Sequence, residues 1–186
     1  DPNGAMYASV GQMSGVAGEK QTRITEGTTD MANFVTAITN ASIPTRKINV
    51  FDQIDIPATV NYIAAARLTQ EGDDVWANMV IYRDSDGTGE WRIVPFDTNL
   101  SWGQLYYADY TPTHTNLLAT DDTDKSHPLY GNASCYTLNY AGLRYNRFYD
   151  AITSVPETRA MLLRRIRSLM DQYLQPPGTV NPLLET

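Results

Sequence analysis

Apolar positions recur along the chain with two different periods. In TTDMANFVTAITN, residues 28–40, Met31, Phe34, Val35 and Ile38 share one helical face behind a Thr/Asp cap. That predicts a helix over 29–40, with Pro44 ending or following it. In DIPATVNYIAAARLTQEGD, residues 55–73, Asp55 is placed to cap and Pro57 falls in the first turn. Ile56, Val60, Ile63, Ala64 and Arg67 then form a stripe, which predicts a helix over 56–70 closed by Gly72. NMVIYRD and EWRIVPF read as strands around SDGTG, a hairpin turn with Gly87 and Gly89 free to take positive φ. Both runs are nearly continuously apolar, so both faces of each strand are expected to be covered.

Farther along, LRYNRFYDAI predicts a short helix over 142–152. SVPETRAMLLRRIRSLMDQYLQPPG then opens with Ser154 and Glu157 as a capping box, carries Leu162, Ile166, Leu169, Met170 and Tyr173 as its core stripe, and stops at Pro176 and Pro177. Arg159, Arg164, Arg165 and Arg167 of that helix read as a solvated face. Residues 1–27 are Gly-, Ser- and Thr-rich and read as loop with one strand around Ala5–Ser9. The Tyr-, Thr- and Asp-rich text from Gly103 to Leu138 reads as a long ordered loop region, of a kind that is often functional.

Composition narrows the function classes. A chain of 186 residues with 42% hydrophobic and 10% aromatic residues suits one packed domain, 1–186. A net charge of -7 and Lys only at positions 20, 47 and 125 argue against binding nucleic acid or anionic membranes, which requires a cationic surface. One cysteine, Cys135, allows neither an internal disulfide nor a cysteine-built zinc site. No stretch approaches the roughly 20 apolar residues of a membrane span. The opening DPNGAMYASV has no initiating Met and does not resemble a signal peptide, so the chain is expected to be a processed product or excised piece.

Chemistry concentrates in EGDDVWANMVIYRDSDGTGEWRIVPFDTNLSWG, residues 71–103. A helix is followed by an Asp-bearing loop ending in Asn, then a hairpin, then a second Asp. This order resembles the lower lobe of protein kinases, where a loop Asp accepts the substrate hydroxyl proton and an Asn and a later Asp hold magnesium against the phosphates. Asn78 stands five residues after Asp73, and Asp97 follows the second strand. Magnesium needs few protein oxygens beside those of phosphate and water.

The same residues are similar to the CotH kinase family, the spore coat protein H group of atypical secreted or surface kinases. Asp73, Asn78, Tyr82, Arg83, Asp84, Trp91, Pro95, Asp97, Ser101 and Gly103 match its pattern of D-x4-N-x-x-x-Y-R-D, then Gly and Trp, then I-P-W-D-x-D-x-S-F-G. DPNGAMY resembles the family's D-P-N-G-x-L-Y-K. The resemblance covers residues 1 to 103, and beyond them only SHPLYG looks similar. It implies an α+β, mainly helical domain like a kinase C-lobe, with a β-hairpin between catalytic-loop and metal-binding segments. Residues 1–50 would be a partial N-terminal region and 51–186 the core.

It further implies Asp73 as the catalytic acid, with Asp74 taking that role if the loop register differs by one. Asp97 and Asn78 would be metal ligands and Asn99 a further one. The implied cofactors are Mg2+ and ATP, and the implied partner is a protein substrate of secreted or coat type at the cell or spore surface. Three departures accompany the match. Phe96 stands for Trp, Asn99 for the second Asp of the motif, and Ala8 for Lys. Because the chain starts inside the family's pattern, the upstream nucleotide-binding part is expected to be missing and this chain alone to be inactive.

Other readings fit less well. DSDGTG starts like a calcium loop, but Glu is absent at its twelfth position and no helix follows, so it is read as a turn. Asp121, Asp122, Asp124 and His127 read as a solvated acidic loop, and the two histidines, His114 and His127, have no G-x-S-x-G serine to serve. Trp76, Trp91 and Trp102 read as core or cleft wall rather than a sugar platform. The alternative function is a non-catalytic structural or adhesion module that retains the kinase-like lobe, favoured by Asn99 and Ala8.

Overall fold

A computed structural model describes residues 4–9, 18–69, 71, 79–98, 101, 104–106, 112–114, 132–133, 144–145 and 147–174. In chain order these form β1 (Ala5–Ser9), β2 (Gly18–Lys20), α1 (Thr29–Ile38), α2 (Ile43–Gln53), α3 (Ile56–Leu68), β3 (Met79–Arg83) and β4 (Trp91–Pro95). The short strands β5 (Gln104–Tyr106), β6 (Pro112–His114), β7 (Asn132–Ala133) and β8 (Arg144–Tyr145) follow, and then α4 (Arg147–Ser154) and α5 (Pro156–Tyr173). The architecture is α+β, as expected. A four-stranded antiparallel sheet runs β2-β1-β3-β4, while β5 pairs with β6 and β7 with β8.

Alternation along the strands decides which face of the sheet is buried. Tyr7, Ile81 and Ile93 lie in one row across β1, β3 and β4, with Trp91 and Met79 on the same side. Against that face pack Met31, Phe34 and Ile38 of α1, Val60 and Ile63 of α3, Phe148 and Ile152 of α4, and Leu162 of α5. Phe34 stacks on Trp91 at 4.7 Å between ring centroids and meets Phe148 at 5.4 Å. At the edge, the Lys20 ammonium sits 5.4 Å over the Tyr7 ring and 3.9 Å from Asp30 of α1. The Tyr7 hydroxyl donates to Asp30, and burial together with that carboxylate pushes its ionisation above the ordinary phenol range.

The expected coverage of both strand faces holds for β3 alone. Met79 to Tyr82 are all buried, but β4 alternates, with Arg92 exposed and Val94 half-buried. On that second face the Arg92 guanidinium lies 5.0 Å over the Tyr82 ring, so β4 covers β3 while itself facing solvent. The turn between them forms where expected, but of its two glycines Gly89 alone takes positive φ. The Asp84 carbonyl accepts from Gly87 N–H at 3.2 Å and Gly89 N–H at 2.8 Å, and Gly89 takes φ 78°.

Helix α3 carries the stripe that periodicity predicted, and Ile56, Val60, Ile63, Ala64 and Arg67 are all buried. Asp55 Oδ1 accepts from Ala58 N–H at 3.0 Å, and Asp55 N–H donates to the Trp91 carbonyl at 2.9 Å, tying the helix start to β4. Asp55→Ala should therefore lower stability by about 1 kcal/mol, read as a fall of roughly 2–4 °C in the thermal midpoint.

Helix α2 was not expected, because Pro44 was read as a terminator. It occupies instead the first turn of α2, where its missing N–H costs nothing. Only Val50 of that helix is buried and Ile43, Ile48 and Phe51 are exposed, so no apolar stripe announces it. Its adjacent cations hold it in place. Arg46 Nη1 donates to Ser154 Oγ at 2.8 Å and to Asp150 Oδ2 at 3.2 Å, and Lys47 pairs with Glu157. That use of Ser154 and Glu157 replaces the expected capping box. Val155 sits at the N-cap of α5 and makes no side-chain cap bond.

Two further expectations need correction. The helix expected over 142–152 starts at Arg147, because Arg144–Tyr145 pair with β7. Met170 is 42% exposed and not core, since the buried line of α5 runs through Thr158, Leu162 and Leu169 and the next residue turns about 100° away from it. Arg159, Arg164 and Arg167 face solvent, with Arg165 half-buried. Cys135, His127, Trp76, Trp102 and Asp121 to Asp124 lie outside the described residues. Among those described, no helix is long and apolar enough to cross a membrane.

Candidate active site

Asp97 stands just beyond β4, after Pro95 and Phe96. Its backbone takes φ 50°, in the left-handed region that few side chains other than Asn and Asp tolerate. Its side chain is exposed. Among the described residues no hydrogen bond or ion pair engages its carboxylate. A solvent-facing carboxylate held at a strand end by an uncommon backbone conformation suits a hard cation, which takes oxygen ligands and keeps several waters. Phe96, at 57% exposure, adds a large apolar surface beside it.

The register of the hairpin relates Asp97 to the other candidates. Met79 pairs with Pro95, so the residue that follows Asn78 lies opposite the residue two before Asp97. Asn78 itself, like Asp73, Asp74 and Asn99, falls outside the described residues. What is described are the residues that flank them. Glu71, two before Asp73, and Ser101, two after Asn99, are in direct contact, with Ser101 Oγ donating to Glu71 Oε2 at 2.7 Å. The two chain segments that carry the candidate residues are therefore joined both at the sheet and at this bond.

Glu71 was not singled out from the sequence. It is 3% exposed, its N–H donates to the Ala66 carbonyl at 2.9 Å, and Arg67 Nη2 donates to its own carbonyl at 3.2 Å. The Arg67 guanidinium lies 5.3 Å from the centre of the Tyr149 ring, linking the end of α3 to α4. An acid at a helix end, beside two aspartates, gave no local signal that it would be buried.

The remaining acids of the 71–103 stretch separate as expected. Asp84 Oδ2 accepts from Thr88 N–H at 3.0 Å, and Asp86 pairs with Arg23, so both serve the hairpin and its neighbour. Trp91 is core, at 2% exposure. No group of three or more His, Cys, Asp or Glu able to hold a metal occurs among the described residues.

In comparison with protein families, the CotH kinase protein model matches residues 10–181. The chain belongs to the CotH kinase family. The match begins later than the DPNGAMY segment and runs well beyond residue 103, through β5 to β8 and on to α4 and α5. Residues 73–103, which carry the strongest resemblance, thus lie inside the matched range, while DPNGAMY lies before it. No curated protein matches the chain. CotH membership makes the function kinase-like.

Proposed function

We propose that this CotH domain catalyses transfer of the γ-phosphoryl group of ATP to a Ser or Thr hydroxyl of a secreted, coat or surface protein. The observation that carries this reading is Asp97, exposed and in a left-handed conformation at the end of β4, within a chain that belongs to a kinase family. The order along the chain of α3, Asp73, the β3–β4 hairpin and Asp97 supports the reading, because a kinase C-lobe would carry its catalytic and metal-binding residues in that order.

In this reading Asp97, Asn78 and Asn99 hold Mg2+, which when bound neutralises charge on the β- and γ-phosphates. Asp73 accepts the proton of the attacking hydroxyl, or Asp74 does so in the adjacent register. The hydroxyl oxygen bonds to the γ-phosphorus as the bond to the ADP oxygen breaks, and ADP leaves with the electron pair. Asn99 in place of Asp supplies an oxygen without a charge, and Ala8 in place of Lys removes a cation that phosphates could use. Both departures set the expected rate low. The secreted or surface location follows from the same family reading.

Incubation of the purified protein with γ-labelled ATP, Mg2+ and a mixture of Ser/Thr peptides tests the proposal. Label should appear on hydroxyls and fall by at least about 100-fold in Asp73→Asn. Loss in Asp74→Asn with Asp73→Asn unaffected would move the role by one residue. A folded protein that transfers no label would instead be the structural or adhesion module that Asn99 and Ala8 favour.

A further inference from the structure

Glu71 is the one acidic residue buried in the core among the described residues, and its burial is costly unless its carboxylate is held. Its backbone is fixed to α3 through Ala66 and Arg67, while its side chain reaches across to the segment that follows β4. There the Ser101 hydroxyl lies 2.7 Å from Glu71 Oε2 and 3.1 Å from the Thr98 carbonyl. A hydroxyl has one proton, and the shorter bond, to Glu71, takes it. Ser101 thereby ties the chain that follows Thr98 to the buried Glu71 carboxylate.

We infer that Glu71 is a positioning residue: through Ser101 it fixes the chain after β4, which bears Asp97, against the end of α3, two residues before Asp73. The observation behind this is that the contact lies two residues from Asp73 on one side and four from Asp97 on the other. Such outer supports set the orientation of a ligating carboxylate without touching the ligand. The catalytic consequence rests on the kinase reading above, whereas the positioning itself does not.

Ser101→Ala is the first variant to test, because it deletes one half-buried hydroxyl and leaves the core intact. Amide hydrogen exchange over 97–101 and 71–74 should accelerate by about tenfold, with the 84–89 turn and α5 unchanged. The Mg2+ concentration for half-maximal nucleotide binding should rise by about tenfold. Glu71→Leu should behave like Ser101→Ala, and Glu71→Gln, which keeps an acceptor oxygen, should restore most of the protection. Unchanged exchange at 97–101 in folded Ser101→Ala overturns the proposal. So does faster exchange with an unchanged Mg2+ requirement, which would make the contact merely structural. A wild-type protein that binds no Mg2+–nucleotide overturns the kinase reading, and the exchange arm still decides the positioning.

Discussion

Trp91→Ala is expected to cost about 3–5 kcal/mol of stability, a loss comparable with a third or more of the roughly 5–15 kcal/mol typical of a whole domain. The magnitude follows from what the indole touches. It is 2% exposed, stacked on Phe34 at 4.7 Å, 5.8 Å from the Tyr7 ring, and covered by the Arg83 guanidinium at 5.6 Å. Removing it opens a cavity among three elements, because Tyr7 belongs to β1, Phe34 to α1 and Arg83 to β3. The backbone of residue 91 also accepts from Asp55 and forms a bridge with Ile54, so a loosened β4 loosens the start of α3. Urea unfolding should show the midpoint falling with the slope unchanged. Trp91→Phe, which keeps a ring against Phe34, should lose substantially less. A loss below about 1 kcal/mol for Trp91→Ala would mean that this stack is not the centre of the core.

Asp97→Ala should reduce phosphoryl transfer by at least about 100-fold while leaving the protein folded. The two effects separate because the Asp97 side chain faces solvent and its carboxylate supports no other described residue. Asp97→Gly sharpens the separation. Glycine takes φ 50° without the roughly 1–2 kcal/mol that a side chain costs there, so its stability should match or exceed that of the wild type while transfer is still lost. An exposed aspartate kept in an uncommon backbone conformation at a strand end is the pattern expected of a functional position. Asp97→Asn should fall between wild type and Asp97→Ala, since it keeps an oxygen and loses the charge, as the natural Asn99 does relative to the family pattern.

Local patterning located the elements whose burial is periodic. The α3 stripe, the β3–β4 hairpin and α1 follow from 3.6- and 2-residue periods that packing then satisfies. Helix α2 was not legible because it is held by ion pairs to α4 and α5 and by one buried valine, and such long-range contacts leave no periodic trace. The capping box at Ser154 and Glu157 was chemically sound and lost to a competing use of the same side chains by Arg46 and Lys47. Within the site, the spacing of Asp73, Asn78 and Asp97 could be read, whereas the left-handed backbone at Asp97 and the burial of Glu71 could not. The Glu71 carboxylate meets its partner Ser101 across 30 residues of chain, a contact that leaves no local trace.

On the kinase reading Asp97 belongs to a magnesium-dependent nucleotide site. The most direct test is isothermal titration of ATP into the purified protein, with Mg2+, with chelator, and with Mg2+ in the Asp97→Ala variant. The account predicts saturable binding that vanishes in chelator and weakens by at least about tenfold in Asp97→Ala. Binding that survives both chelation and Asp97→Ala, or no binding by the folded wild-type protein, would contradict it.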